Sequence, residues 1–277
     1  MLSAFVCCVK IITFVKIHES IRNPLPLQNE TSRFVKETSR VIFVRDNRQP
    51  RNLSNIELMK PNPSRNLFRT LFGAGLLAAS LCSCCPKHNT LTQAEIADGW
   101  QLLFDGKSLD QWKDFNGDSL TMPWHVVDGC IQAKGDGSDL SGYIVTKKQY
   151  ENFILDWDWK LSYGGNSGML YHVVENPYFK VPYVTGPEYQ LIDNEGWEAT
   201  NAPTRLEEWQ KLGVDYAMHL PNADSLFVNP QGEWNSSRIV CDNGHVEHWL
   251  NGRKILEFEA WTDDWFARKN NGKWETA

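Results

Sequence analysis

The stretch Ser236–Phe258, SSRIVCDNGHVEHWLNGRKILEF, decides the fold. Two Asn-Gly pairs, Asn243-Gly244 and Asn251-Gly252, separate three runs in which apolar and polar residues alternate. Asn-Gly readily supplies the two positive φ angles of a type I′ turn, and that turn joins antiparallel neighbours. The spacing predicts three consecutive antiparallel strands at about 237–242, 245–250 and 254–259.

The same two-residue period extends toward the N-terminus. In NFILDWDWKL, residues 152–161, Phe153, Leu155, Trp157, Trp159 and Leu161 share one face, and Asp156, Asp158 and Lys160 share the other. The indole face is expected in a core, where each ring buries roughly 150–250 Å². The acidic face is either a solvated stripe or the floor of a polar groove. WHVVDGCIQA, GYIVTKKQYE, GMLYHVV and EYQLID also read as short strands between Gly, Asn and Asp turns. One stretch reads as a helix: in PTRLEEWQKLG, Thr204 and Glu207 form a capping box and Gly213 terminates. The prediction is an all-β fold, one antiparallel β-sandwich, with a short helix on a loop.

Composition divides the 277 residues unevenly. Residues 1–85 carry 12 Lys and Arg against 5 Asp and Glu, whereas residues 86–277 carry 16 against 29 and hold all twelve Trp. An acidic domain repels phosphate backbones, so nucleic acid is a poor partner, none is expected, and a neutral ligand fits better. Cys130 and Cys241 each sit in a strand-like run and read as buried thiols, not as a disulfide.

Within the basic part, Met59 opens a second start-like segment, in which Lys60, Arg65 and Arg69 precede an apolar run from Leu71 to Leu81. That run is short for a membrane span and suits a secretory signal. Leu81-Cys82-Ser83-Cys84 resembles a bacterial lipoprotein box. The resemblance implies lipidation at Cys84, a membrane anchor at the N-terminus and, with no Asp after Cys84, an outer-membrane lipoprotein facing the periplasm. Residues 1–58 read as an upstream segment from a mis-assigned start without a fold of its own, 59–84 as the signal peptide, disordered or helical, and 85–97 as a linker.

Five motifs in order, GWQLLFDGKSLDQW, GNSGMLYH, GPEYQLIDN, GEWNSSRIV and NGHVEHWLNG, give residues 98–277 a resemblance to the 3-keto-disaccharide hydrolase family. The resemblance implies a concanavalin A-like jelly roll and cleavage of 3-keto-glycosides in the cell envelope, by hydrolysis or by elimination. The family's domain continues through a further strand pair with a Gln-Asp-His-Gly stretch, whereas this chain ends in GKWETA. An incomplete sandwich with an exposed strand edge and an open seam is therefore expected.

A ketone at sugar carbon 3 acidifies the hydrogen on carbon 2, so the chemistry calls for a base, an acid at the leaving oxygen and a donor near the developing enolate. Glu188, in TGPEYQLIDN, and His172 are the candidates for base and acid; the plain alternatives are a solvated strand residue and a structural imidazole. The resemblance implies Arg at this position in many relatives, where this chain has His172. Gln190, Asn166 and Asp193, with Asp156 and Asp158 on the open face, are candidates for hydrogen bonds to sugar hydroxyls, and Asn194 for the rim. Tyr183 and Trp197 are candidates for stacking on a sugar ring. Tyr189 and Leu191 are assigned to the core.

No cofactor is called for and no metal site is assigned. In HVEHW, His245 and Glu247 share a face and His248 points away, which suits a solvated strand better than a three-ligand site. A divalent cation between carboxylates such as Glu188 and Asp193 stays open. Residues 190 and 192 are Gln and Ile, so Glu188 has no second acid beside it in the sequence, which weighs against a retaining glucanase. A non-catalytic carbohydrate-binding lipoprotein is the alternative to an enzyme.

Overall fold

The computed structural model describes residues 89–121, 124–135 and 142–277, together with the backbone of three short strands from the front of the chain. The signal segment 59–84 and Cys84 lie outside the described residues. In chain order the strands are β1 (Phe5–Val9), β2 (Phe14–Ile17), β3 (Ser39–Arg40), β4 (Trp100–Leu102), β5 (Trp112–Asp114), β6 (Trp124–Val127), β7 (Cys130–Gly135) and β8 (Ile144–Thr146). They continue with β9 (Phe153–Leu161), β10 (Asn166–Leu170), β11 (Val173–Val174), β12 (Glu188–Ile192), β13 (Asn235–Asp242), β14 (His245–Leu250) and β15 (Arg253–Glu259). Three short helices complete the inventory, α1 (Gln93–Ala97), α2 (Asn194–Thr200) and α3 (Asp263–Asn270).

Both Asn-Gly turns form as expected, with φ of 50° and 95° at Asn243 and Gly244 and of 46° and 79° at Asn251 and Gly252. They align β13, β14 and β15 antiparallel, with one irregularity at His248/Trp249. β13 in turn pairs with β9, placing Ile239 opposite Leu155 and Asn235 opposite Trp159. This sheet is one layer of the sandwich. β10 and β12 form a separate antiparallel pair whose residues pack in the same core, and β5–β8 and β3–β11 are further two-stranded pairs.

The core lies between the layers. From β9, Phe153, Leu155, Trp157, Trp159 and Leu161 are all buried, as the alternation requires, and Tyr189, Leu191 and Met169 meet them from β12 and β10. Trp157 and Tyr189 make an edge contact at 5.2 Å between ring centroids. A chain of hydrogen bonds crosses the same point: Trp159 Nε1 donates to Ser237 Oγ (2.8 Å), Ser237 donates to the Tyr189 hydroxyl (3.0 Å), and Tyr189 donates to the Trp249 carbonyl (3.2 Å). Cys130 and Cys241 are buried free thiols.

Three expectations are corrected. The helix read at 204–213 is only a single 3₁₀ turn at Glu208–Gln210, because residues 213–216 are drawn into pairing along β12 through Gly213 N to Gln190 O (2.9 Å) and Tyr216 N to Glu188 O (3.0 Å). The helices that do form, α2 and α3, start at side-chain caps from Asp193 and Thr262. The 85–97 linker contains α1, closed by a capping box between Thr92 and Glu95. The front of the chain is not without structure: β1 pairs with β7 and β9, and β2 with β4 and β9.

Ser237→Ala leaves two buried polar groups, Trp159 Nε1 and the Tyr189 hydroxyl, without their shared partner. It is expected to lower unfolding stability by about 1–3 kcal/mol. Ser236→Ala, which removes only an exposed bond to Asp158, is expected to cost under about 1 kcal/mol. Urea denaturation of the two variants checks the difference.

Candidate active site

β12 begins in a turn that only glycine permits. A Cβ at Gly186 would stand 2.6 Å from the Tyr171 carbonyl oxygen and 2.8 Å from Val173 Cγ2, so the chain can pass this close only without a side chain. Beyond it the strand alternates, with Tyr189 and Leu191 fully buried and Glu188 directed to the other face. On the neighbouring β10, a Cβ at Gly168 would lie 1.9 Å from Glu188 Oε1. The carboxyl therefore lies across the bare backbone of β10, which accounts for the last Gly of GNSG, residues 165–168.

Glu188 opens on a cavity of about 780 Å³. His172 and Asp215 share its lining, Tyr183 and Phe179 come from the loop before β12, and Trp261, Trp265, Phe266 and Lys269 come from the segment around α3. Glu188 makes no side-chain hydrogen bond among the described residues. Burial pushes its carboxyl up to about 8, and the charge of Asp215 adds to this while that of Lys273 opposes it. Lys273 donates to the Tyr216 hydroxyl (3.2 Å) and lies over the rings of Tyr216 and Trp274. At pH 7 Glu188 is thus mostly protonated.

His172 follows β10 in the left-handed region, at φ 51°. Its ring packs edge-on against Trp261 at 4.8 Å, with Phe153 at 5.7 Å, and its Nε2 is buried without a partner. Burial pulls its pKa down to about 4. The imidazole is neutral at pH 7. A neutral ring still offers one N–H donor.

Asp215 is the acid that local sequence reasoning missed. It sits opposite Tyr189 across an isolated antiparallel bridge, and its Oδ2 lies 2.8 Å from His219 Nδ1. His219 is stacked on Phe258 at 4.3 Å. Burial raises the Asp215 carboxyl, against the pull of His219. Its Oδ1 is sealed from solvent without a partner, so Asp215 acts on Glu188 through its charge and is not presented as a second acid flanking a bond.

The structure separates the remaining candidates. Tyr183 lines the cavity, as expected. Gln190 shares no solvent face with Glu188: it is buried, and its amide donates to the Gln210 carbonyl (3.1 Å). Asp193 is occupied at the start of α2, accepting from Gly164 N (2.9 Å) and Gly196 N (3.2 Å), so it does not share a cation with Glu188. Asn194 accepts from Leu212 N (3.1 Å), which makes it a structural tie. Asn166 is exposed opposite Ile192, and Trp197 packs against the core from α2; neither lines the cavity. Asp156 is held by Arg238 through two hydrogen bonds (2.7 and 3.0 Å) and Asp158 accepts from Ser236 (2.6 Å), both on the face away from the core.

His248 turns inward, as read, with Nε2 3.1 Å from the Tyr171 hydroxyl. His245 and Glu247 gain Glu257 from β15 as a neighbour, and the three ligand atoms lie within 4.8 Å of one another. Lys254 already occupies the acidic side of this cluster, 3.1 Å from Glu247 and in contact with Glu257. The missed residues Trp261, Trp265, Phe266 and Lys273 lie after the last strand, where no alternation singles them out.

An aromatic cavity that holds a proton on a desolvated carboxyl has the character of a ligand-binding or active site. The chain belongs to the 3-keto-α-glucoside-1,2-lyase-like family, whose model matches residues 99–276. It is 31% identical over 188 residues to a Bacteroides thetaiotaomicron protein named 3-keto-disaccharide hydrolase, a match covering 61% of this chain and 61% of that protein. A solved structure from Parabacteroides distasonis, designated a candidate glycosyl hydrolase, is 47% identical and superposes with a TM-score of 0.59, over 68% of this chain and 85% of that one.

Because the pKa of Glu188 is raised on folding, its burial costs nothing below its unfolded value near 4.5 and destabilises progressively as pH rises toward 8. Glu188→Gln is therefore expected to melt above the wild type at pH 8, with the gap closing toward pH 5. Thermal melts across this range check the sign.

Proposed function

We propose that the domain cleaves 3-keto-glycosides by elimination at the cavity, with Glu188 moving the proton. In its ionised form Glu188 takes the hydrogen from sugar carbon 2, and the C2–H electrons form the C1=C2 bond. The C1–O bond breaks toward the leaving oxygen, which receives the same proton back from Glu188. Atoms and charge balance without a second acid, and subsequent addition of water to the alkene gives net hydrolysis. A carboxyl with a pKa near 8 is suited to both halves, since it is a stronger base than an ordinary carboxylate and still an acid near neutrality. His172 lines the same cavity with its Nε2 sealed and its ring against Trp261 and Phe153, so it shapes the site beside Glu188.

The observation that carries this reading is the unpaired Glu188 carboxyl, raised to about 8 and laid over Gly168 in a cavity it shares with His172. Catalysis by the ionised form predicts that kcat/KM for a methyl 3-keto-glucoside rises about tenfold per pH unit up to about pH 8 and then levels. Glu188→Gln is expected to lose about 10²–10⁴ of the rate together with that pH dependence. A rate that falls as pH rises through 8 makes Glu188 the acid instead, and binding of the sugar without turnover leaves a binding module.

The second part of the proposal is placement in the cell envelope as an outer-membrane lipoprotein carried by Cys84. Cleavage there would remove β1, β2 and β3, so the mature sandwich and the arrangement with β1 against β9 exclude one another. The intact mass of the membrane-extracted protein is expected to begin at a lipidated Cys84. A mass that retains residues 5–17 sinks the anchor.

A further inference from the structure

Elimination needs a hydrogen-bond donor as well as a base. The ketone oxygen is carried by the carbon next to the one that loses its hydrogen, and it gathers negative charge as that hydrogen leaves. The donor therefore has to stand beside Glu188, on the same face of the strand. The segment that pairs with β12 offers this position. Tyr189 lies opposite Asp215, so Glu188 lies opposite Tyr216, and Tyr216 N donates to the Glu188 carbonyl (3.0 Å). Side chains directly opposite on antiparallel strands share a face, with Cβ atoms about 5 Å apart. Glu188 and Tyr216 both line the cavity. Asn176, Tyr183 and Trp261 also line it, but they come from loops and are not in register with Glu188.

The Tyr216 hydroxyl is set up to donate. Its oxygen receives hydrogen bonds from Lys273 Nζ (3.2 Å) and Gln210 Nε2 (3.5 Å). An ammonium and an amide NH₂ only donate, so the phenol oxygen is the acceptor in both bonds and its own proton is left to point elsewhere. Among the described residues no acceptor takes that proton. The ammonium is held in place over three rings, with its nitrogen 4.3 Å from the centroid of Tyr216, 5.0 Å from that of Trp274 and 5.2 Å from that of Trp209. Trp274 Nε1 in turn donates to the Tyr216 carbonyl (2.8 Å). A cation bonded to the phenol oxygen polarises the O–H bond and strengthens its donation to an oxygen that is becoming negative.

We infer that Tyr216 is a further catalytic residue, whose hydroxyl donates to the ketone oxygen at sugar carbon 3, and that Lys273 is a positioning residue acting through it. This rests on the reading of Glu188 as the proton-transfer group, which places carbon 2 at its carboxyl and the ketone at its neighbour. The phenol keeps its proton throughout; the hydrogen taken from carbon 2 travels only by way of Glu188 to the leaving oxygen. The same contact selects the oxidised sugar. A phenol oxygen already filled by two donors does not accept from a hydroxyl at carbon 3, so that hydroxyl's proton is left to seek another partner, whereas a ketone carries no proton to place.

Tyr216→Phe removes the hydroxyl and keeps the ring beneath Lys273. Its kcat/KM for methyl 3-keto-glucoside is expected to fall about 10²–10³-fold, mainly in kcat, with the rise toward pH 8 kept because Glu188 is still the base. Lys273→Met is expected to lose about tenfold and to move the pH midpoint upward, since the lysine's charge opposes the raising of Glu188, and Lys273→Arg to restore both. Calorimetry in the Glu188→Gln background, where nothing turns over, reads the ketone contact by itself. Methyl 3-keto-glucoside is expected to bind about tenfold more tightly than methyl glucoside, and adding Tyr216→Phe to abolish the difference. A Tyr216→Phe enzyme within threefold of the wild type, while Glu188→Gln is inactive, overturns the inference and leaves the elimination reading standing. Equal binding of the two sugars, or a preference that survives Tyr216→Phe, overturns it as well. If the wild type turns over no 3-keto compound but the ketone preference depends on Tyr216, the contact stands and the elimination reading falls.

Discussion

Everything at the site depends on how β12 is fixed to the large sheet. Tyr189 inserts between the layers, its ring against Trp157 and its hydroxyl in a relay from Trp159 through Ser237 to the Trp249 carbonyl. Buried polar groups of this kind tolerate few arrangements, because each misplacement leaves a donor or acceptor unpaired in a low-dielectric interior. The neighbouring residue must then point the other way. Glu188 is thereby held where water is largely excluded, and its proton affinity follows from that position.

The perturbed groups share one physical cause. Burial disfavours charge, so it raises Glu188 and Asp215 and lowers His172. Opposing this, Lys273 approaches from the end of the chain over a platform of Tyr216 and Trp274 and draws the Glu188 carboxyl back toward ionisation. A carboxyl balanced near 8 is a group that can both take and return a proton. By contrast, the outward charges of β9 and β14 meet partners on adjacent strands, as Asp156 does with Arg238 and Glu247 with Lys254, and they belong to the surface of the sheet.

What the sequence by itself determined is local: two Asn-Gly turns, the alternation of β9 and the inward course of Tyr189 and Leu191. Each is set within a few residues by backbone sterics or by a period of two. The same logic placed Glu188 on the non-core face. It failed where the outcome depended on a partner distant in the chain. Gln190 lies in alternation with Glu188, yet the 210–216 segment covers it. Asp193 and Asn194 resemble rim residues, yet they fix α2 and Leu212. The capping signal at Thr204 yields to the backbone pairing that residues 213–216 make with β12.

Only the tertiary structure decided that Asp215 and Lys273 act on the carboxyl of Glu188, with charges separated from it by 27 and 85 positions in the sequence. It also decided that Trp261, Trp265 and Phe266 enclose the same cavity. Electrostatic and hydrophobic effects act through space, whereas a sequence pattern records only neighbours along the chain. An acid on a strand could be read from TGPEYQLIDN; its desolvation, and therefore its chemistry, arises only when the layers close around it.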